Sequence, residues 1–189
     1  MALSPRFVQA VSYAIELHRE QTRKGSGVPY ISHLISVAGI ALEYGASEDE
    51  AIAALLHDAV EDQGGQATLS VIRDRFGDDV ADIVWGCTDA DTIPKPPWRV
   101  RKEIYVAHVA SASPSVRLVS CCDKLHNARS ILADYRVLGE GLWNRFQGGR
   151  DGTLWYYRSL VNAFRAAGNS PLVGELHFVV SELDRLAGK

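Results

Sequence analysis

The sequence predicts an all-α protein, and three observations support this fold class. Apolar residues recur with a period near 3.6 over most of the chain, which is typical of amphipathic helices. Strict alternation of apolar and polar residues, the pattern of half-buried strands, is nearly absent. The 189 residues are 47% hydrophobic and 23% charged, the proportions of an ordinary globular domain. Intrinsic disorder and low-complexity scaffolding are therefore excluded.

The predicted elements follow from this periodicity, with glycine, proline and capping residues at their ends. Gly45 stands where a helix ends in the left-handed conformation, and Ser47 with Glu50 forms a capping box that opens the next helix. A loop rich in glycine and basic residues is expected over 22–29, and an irregular segment with three prolines over 89–97. The predicted helices cover about residues 5–21, 31–44, 48–62, 68–76, 78–87, 98–111, 113–133, 153–167 and 171–186. Because no repeat or linker divides them, we expect a single domain over 1–189.

Composition and charge exclude several functional classes. A net charge of −3 argues against a protein that binds nucleic-acid duplexes, since such proteins usually carry a strong basic excess. No stretch approaches the roughly 20 apolar residues of a membrane span, and the first nine residues lack the features of a secretory signal. The cysteines at 87, 121 and 122 form no disulfide or zinc framework, so we expect a cytoplasmic protein. The sequence does not indicate an oligomeric state.

An acidic segment that follows an apolar helical run is the most informative feature of the chain. His57, Asp58, Glu61 and Asp62 fall within an arc of about 140° when each residue turns the helix by 100°. Carboxylates this close repel one another unless a cation compensates them. The alternative is an ordinary acidic helix end, although carboxylates near a helix C-terminus oppose the helix dipole. The segment alone leaves both interpretations open.

Two further residues favour a metal site. His33 lies in the first turn of the predicted second helix, where a lone histidine is either a core residue or a ligand. Asp123 follows a largely apolar run, and a buried aspartate normally pairs with another group or binds a metal. Lys124 is the alternative ion-pair partner of that aspartate.

His33, the doublet His57-Asp58 and Asp123 resemble the H…HD…D signature of the HD-domain metal-dependent phosphohydrolases. The chain is most similar to one branch of that superfamily, the hydrolase domain of RelA/SpoT proteins, and especially to its free-standing form, the small alarmone hydrolases. The resemblance covers about residues 7–160. It is carried by the stretches 23–25, 29–33, 54–62, 76–77 and 123–127.

The resemblance implies an HD-type helical bundle of about eight to ten helices that binds one Mn²⁺. The implied ligands of that ion are His33, His57, Asp58 and Asp123. The implied reaction is hydrolysis of the 3′-pyrophosphate of guanosine tetra- and pentaphosphate, and Glu61 and Asp62 match the pair that orients and deprotonates the attacking water. Nitrogen and carboxylate ligands suit Mn²⁺, while ligand type alone leaves iron, zinc and cobalt open.

The resemblance also assigns basic and polar residues to the strongly anionic substrate. Arginine suits this role because its guanidinium makes bidentate phosphate contacts and stacks on bases. Without the resemblance, Arg23 and Lys24 would be interpreted as part of a solvated loop. The implied substrate-binding residues are Arg23, Lys24, Lys95, Asn127 and Arg150.

The chain departs from the family pattern one turn beyond Arg150, where Leu154 stands in place of an expected tyrosine. Tyr156 and Tyr157 follow shortly after, and either one is an alternative for lining the nucleotide pocket. The aromatic section formed by Trp143, Trp155, Tyr156 and Tyr157 is otherwise expected to pack in the core. His126 is expected to be structural or to support Asp123, and no catalytic role is expected for the histidines at 18, 108 and 177.

Two alternative functions remain open at this point. The first keeps the metal and changes the substrate, as in a nucleotidase or phosphodiesterase of the wider HD superfamily. The Glu61-Asp62 pair and the Arg23-Lys24 loop argue against this alternative, since generic HD enzymes need neither the acidic pair nor the basic loop. The second is a catalytically inactive module that senses nucleotides, against which the complete set of ligands argues. Activity on NADPH or adenosine analogues, and the preference between tetra- and pentaphosphate, are also open.

Overall fold

The computed structural model describes residues 2–89, 94 and 96–188 and confirms the all-α class. Within these residues the structure contains ten α-helices, one of them only four residues long, and one 3₁₀-helix. Contacts divide the chain into two compact units, residues 1–95 with 113–122 and residues 96–112 with 123–189. The single domain expected over 1–189 stays a prediction. No helix among the described residues combines the length and apolar character that a membrane span requires.

The first unit is organised around a short buried helix. This helix, α3, packs against α1, α2 and α6, and every residue from Ala51 to Leu56 is at most 1% exposed. A helix that is apolar on all sides is stable only when other helices surround it. The elements of this unit are α1 (Pro5–Leu17), α2 (Ile31–Glu43), α3 (Glu48–Leu56), α4 (Ala59–Asp62), α5 (Gln66–Phe76) and α6 (Asp78–Cys87).

The helix predicted over 48–62 is interrupted in the structure. The predicted capping box is present, with Ser47 accepting from the amide of Glu50 and the Glu50 carboxylate accepting from the amide of Ser47. At the other end, the ring Nδ1 of His57 lies 2.8 Å from the carbonyl oxygen of Ala54, the acceptor that the next helical amide would otherwise use. The α-helix ends at Leu56, beside this contact, and a single turn begins at Ala59.

The first helix is shorter than predicted. It ends at Leu17 rather than near residue 21, because the backbone turns away at His18. The carbonyl of Gln21 then accepts a hydrogen bond from the amide of Tyr30, and Thr22 pairs with Pro29 in an isolated antiparallel bridge. The residues at the predicted end of the helix instead form the base of a hairpin.

The second unit is built on a long amphipathic helix. This helix, α9 (Gly149–Ala167), packs against α7 (Trp98–Ser111), α10 (Pro171–Ala187) and the 3₁₀-helix Gly139–Arg145. It begins four residues before the predicted start at Thr153. Glycines at 148 and 152 disfavour a helix by propensity, but a side chain at Gly148 would come within 2.6 Å of the Trp98 ring. The glycines are explained by this close packing.

One helix contributes to both units. This helix, α8 (Pro114–Leu138), extends five residues beyond its predicted end and continues directly into the 3₁₀-helix. Its residues up to Cys122 belong to the first unit, where the hydroxyl of Ser120 contacts the thiol of Cys87 at 3.5 Å. The three cysteines are free and buried.

Candidate metal centre

Three predicted ligands of the first unit converge in the structure. His33 lies in the first turn of α2, His57 directly follows α3, and Asp58 directly precedes α4. One ligand atom of each lies within 4.8 Å of the other two. The Oδ2 atom of Asp58 is 3.0 Å from Nε2 of His57 and 3.5 Å from Nε2 of His33. Both histidines are buried, and the Asp58 side chain is 20% exposed.

The protonation of His57 suits a cation at this position. A carbonyl oxygen only accepts hydrogen bonds, so Nδ1 of His57, at 2.8 Å from the Ala54 carbonyl, carries a proton. In the neutral ring the lone pair is then on Nε2, which faces the carboxylate of Asp58. Two electron-rich atoms 3.0 Å apart require a positive charge between or beside them. A backbone carbonyl that holds the second nitrogen of a histidine is also typical of metal-binding histidines.

Tyr30 orients the carboxylate of this cluster. Its hydroxyl donates to Oδ2 of Asp58 at 2.6 Å, the short distance expected of a hydrogen bond to a charged acceptor. The Tyr30 ring meets His33 edge-on and stacks on His18, with centroid distances of 5.5 and 5.3 Å. The ring is therefore held on both sides while its hydroxyl fixes Asp58.

Glu61 and Asp62 lie on the single turn of α4. The amide of Asp62 donates to the carbonyl of Asp58 at 3.0 Å, so the turn predicted between these residues is preserved despite the interruption at His57. The Glu61 residue is half-buried and Asp62 is exposed. Oδ2 of Asp62 accepts from the side-chain amide of Gln21 at 2.8 Å.

The basic loop forms a closed hairpin next to this cluster. The amide of Arg23 donates to the carbonyl of Val28 at 2.7 Å, and Gly25 and Gly27 both adopt positive φ inside the turn. Only glycine adopts such angles without strain, which explains both glycines. The guanidinium of Arg23 lies 5.8 Å from the centroid of the Tyr30 ring, whereas Lys24 is exposed. Arg23 thus lies beside the tyrosine whose hydroxyl bonds Asp58.

The predicted residues around position 123 belong to the second unit. The side chain of Asp123 is 7% exposed, and its carboxylate accepts from Lys124 at 2.6 Å and from the side-chain amide of Asn127. Lys124 also lies 4.7 Å from the ring centroid of Tyr105. Burial is the largest influence on the pKa of Lys124 and lowers it, but Asp123 and nearby tyrosines together raise it well above its usual value. Lys124 therefore remains a cation, and the ion pair expected as an alternative is present.

The remaining predicted substrate residues are placed less directly. Arg150 is half-buried in the first turn of α9, and Lys95 lies outside the described residues. The expectation that the aromatic section packs in the core is confirmed for its members that are at most 6% exposed, Trp143, Tyr156 and Tyr157.

Trp155 is the exception in that section. It is partly exposed, and the guanidinium of Arg99 lies 3.3 Å from the centroid of its ring. Leu154 is buried at the position where the family pattern has a tyrosine.

Sequence reasoning missed two residues that contact the predicted site. Tyr30 lies within a matched stretch, yet its bond to Asp58 joins positions 28 residues apart, and the bond from Gln21 to Asp62 spans 41 residues. No local pattern encodes either pair. The sequence also gives His18 no matching partner, whereas in the structure it is 2% exposed and its Nδ1 lies 2.7 Å from Oε1 of Gln21.

Comparison with known proteins shows the family to which the chain belongs. A family model described as an HD domain matches residues 10–154. The guanosine-3′,5′-bis(diphosphate) 3′-pyrophosphohydrolase MESH1 of Xenopus tropicalis is 39% identical over 127 residues, which are 66% of this chain and 68% of that protein. A solved metazoan ortholog of SpoT that hydrolyses ppGpp superposes with a TM-score of 0.81 at 28% identity, over 97% of this chain and 98% of that one. A crystal structure from Listeria monocytogenes gives a TM-score of 0.72 at 30% identity, over 83% and 99%.

Proposed function

The chain belongs to the HD-domain family and has its helical-bundle fold, and on that premise we propose that it is a guanosine-3′,5′-bis(diphosphate) 3′-pyrophosphohydrolase. The observation that carries the proposal is the convergence of His33, His57 and Asp58 within 4.8 Å. The MESH1 relatives that share about two thirds of this chain carry the same activity in their names. The products would be GDP or GTP and pyrophosphate.

We further propose that the resident ion is Mn²⁺. Two imidazole nitrogens and a carboxylate oxygen suit a divalent transition metal, and the Nδ1 proton of His57 leaves Nε2 available as a ligand. Asp123 keeps the role of a ligand that the family resemblance implies. When bound, the ion lowers the pKa of a water and polarises a phosphoryl oxygen.

The protein's own groups position and deprotonate the attacking water. Tyr30 holds the Asp58 carboxylate by the 2.6 Å hydrogen bond, so that His57 and Asp58 present their electron pairs in one direction. Glu61 and Asp62, on the next turn, orient the water and accept its proton as it attacks the phosphorus. The ribose 3′-oxygen leaves and takes up a proton, which releases pyrophosphate.

The basic hairpin provides charge for the polyphosphate. The backbone of Arg23 is held by its hydrogen bond to Val28, and its guanidinium lies 5.8 Å from the Tyr30 ring, so it supplies a positive charge beside the residue that bonds Asp58. Lys24 is exposed and available for a phosphate. Asn127, Arg150 and Lys95 remain predicted substrate contacts. A cytoplasmic location, which would suit the three free thiols, is part of the same proposal.

A nucleotide panel tests the proposal. The purified protein is incubated with Mn²⁺ and guanosine tetraphosphate, guanosine pentaphosphate, a deoxynucleoside monophosphate, a cyclic dinucleotide and NADPH, and the products are separated by chromatography. The expected result is GDP or GTP with pyrophosphate from the first two substrates. Orthophosphate from the monophosphate, or cleavage of the cyclic dinucleotide, with no reaction of the guanosine polyphosphates would support the alternative enzymes of the superfamily. Binding without turnover would support a nucleotide sensor.

A further inference from the structure

Gln21 connects Asp62 to the buried end of α1, and we propose that it is a positioning residue for the hydrolysis. Its side-chain amide holds Oδ2 of Asp62 so that the other carboxylate oxygen is directed to accept the proton of the attacking water. This inference rests on the proposed function, because it concerns the base of that reaction. We call the side chains of His18, Gln21, Gln63 and Asp62 the Gln21 network.

Three hydrogen bonds define the Gln21 network. The Nε2 amide of Gln21 donates to Oδ2 of Asp62 at 2.8 Å. Its Oε1 atom accepts from the side-chain amide of Gln63 at 2.6 Å and lies 2.7 Å from Nδ1 of His18. Gln21 therefore has polar partners at both ends of its amide, although the residue is only partly buried.

These partners permit only one orientation of the Gln21 amide. An ionised carboxylate accepts hydrogen bonds and does not donate, so the amino group must face Asp62. Oε1 then faces His18, whose Nδ1 must carry a proton in order to donate. If the Gln21 amide were rotated by 180°, its oxygen would face the Asp62 carboxylate, and its amino group would face the amino group of Gln63. The network thus fixes both the position and the direction of the donor to Asp62.

The network is anchored in the same packing that orients Asp58. His18 is 2% exposed, and its ring stacks on Tyr30 with an interplanar angle of 17°. Tyr30 in turn donates to Asp58. Burial lowers the pKa of His18, so its ring is neutral near pH 7, and the hydrogen bond to Oε1 of Gln21 places the remaining proton on Nδ1. The proposed ligand and the proposed base are therefore held by neighbouring faces of one cluster.

Asp62 is exposed, so the hydrogen bond from Gln21 contributes to its orientation where core packing does not. A surface aspartate samples several rotamers, since no packing selects one of them. A catalytic base has to be within hydrogen-bond reach of its proton in a defined geometry. Removal of a residue that hydrogen-bonds and orients a functional side chain typically lowers activity by about 10- to 100-fold.

Two substitutions of Gln21 test this role. In Gln21→Ala we expect kcat to fall by about 10- to 100-fold, with KM and Mn²⁺ affinity within about twofold of wild type. Gln21→Glu keeps the length of the side chain and both acceptor contacts, but opposes a carboxylate to Asp62. Two carboxylates in contact raise the pH at which one of them ionises, so the acid limb of the kcat profile should move up by about one pH unit. Gln9→Ala and Gln9→Glu, at an exposed site on α1, make the same changes of size and charge and should leave both measurements unaltered.

The design separates this inference from the proposed function. A wild-type protein that does not hydrolyse guanosine polyphosphates would refute the proposed function. The Gln21 network would then be tested by carbon-13 NMR of metal-free protein, in which the Asp62 carboxyl should titrate at higher pH in Gln21→Glu than in wild type. An active wild type with unchanged kcat in Gln21→Ala would overturn the positioning role. It would also be overturned by a reduced kcat in Gln21→Ala together with an unmoved acid limb in Gln21→Glu.

Discussion

Removal of the Tyr30 hydroxyl is a direct test of how the candidate metal centre is organised. In Tyr30→Phe the ring remains, so its stacking on His18 and its edge contact with His33 are retained. The change deletes one hydrogen bond, the 2.6 Å donation to Asp58. We expect Mn²⁺ to bind about tenfold more weakly, while kcat at saturating Mn²⁺ stays within about threefold of wild type.

The magnitude follows from the exposure of Asp58. Its side chain is 20% exposed, so water replaces part of the lost hydrogen bond and no fully buried charge is left unpaired. The main loss is orientation, because ion binding must then fix a carboxylate that the hydroxyl previously held. Fixing one such side chain costs about 0.5–1.5 kcal/mol, which corresponds to roughly 2- to 12-fold in affinity.

Calorimetric titration of metal-free protein with Mn²⁺ provides the measurement. Tyr44→Phe, which deletes the same atom at the C-terminal end of α2, is the matched control and should bind Mn²⁺ as wild type does. Equal affinities in Tyr30→Phe and wild type would show that Asp58 is not oriented by this hydroxyl. A kcat that remains low at saturating Mn²⁺ would show that Tyr30 acts beyond metal binding.

Three further substitutions test other parts of the account. Glu61→Gln should lower kcat by about 10²- to 10⁴-fold and keep Mn²⁺ affinity, as measured by steady-state kinetics and calorimetry; a wild-type kcat would remove Glu61 from the mechanism. Replacing Arg23 and Lys24 together by Ala should raise KM for guanosine tetraphosphate at least about tenfold, because two phosphate contacts of roughly 1 kcal/mol each are lost. An unchanged KM at low salt would place the loop outside the substrate site. Burial lowers the pKa of His18 below its usual value of 6.5. As the pH falls, the unfolded chain therefore takes up a proton at His18 before the folded protein does, and the free energy of unfolding decreases. In urea unfolding of metal-free protein, the free energy of unfolding should therefore fall less in His18→Asn than in wild type between about pH 7 and 5. The difference between the two proteins should be at most about 1.4 kcal/mol per pH unit. Equal decreases in both proteins would contradict the buried neutral ring.

The fold was predictable because its main determinant is local. Amphipathic periodicity, the Ser47 capping box and the glycine after α2 mark most helix positions without any knowledge of tertiary contacts. Errors occur where a distant contact decides the structure. Helix α9 begins earlier than predicted, across glycines that disfavour a helix; packing against the ring of Trp98 accounts for Gly148 and Gly152, and a positive φ accounts for Gly149. The interruption after α3, at His57 and Asp58, has no counterpart in the periodicity of the sequence.

The candidate site shows the same division. The resemblance to the HD-domain family points to His33, His57 and Asp58, and the structure brings one potential ligand atom of each within 4.8 Å of the others. The groups that orient the site are glutamine and tyrosine, which occur in many roles and carry no motif of their own. Their function depends on which side chain lies opposite, and for Gln21 and Asp62 that partner is 41 residues away.

The central claim is that this chain releases pyrophosphate from guanosine tetraphosphate by means of one bound divalent ion. The most direct measurement is pyrophosphate release during stepwise reloading of chelator-treated protein with Mn²⁺, with bound metal determined in the same samples for wild type and Asp58→Ala. We predict that wild-type activity rises in proportion to bound ion and reaches its maximum at one ion per chain, while Asp58→Ala neither retains the ion nor releases pyrophosphate. Full pyrophosphate release by metal-free wild type, or by Asp58→Ala, would contradict the account.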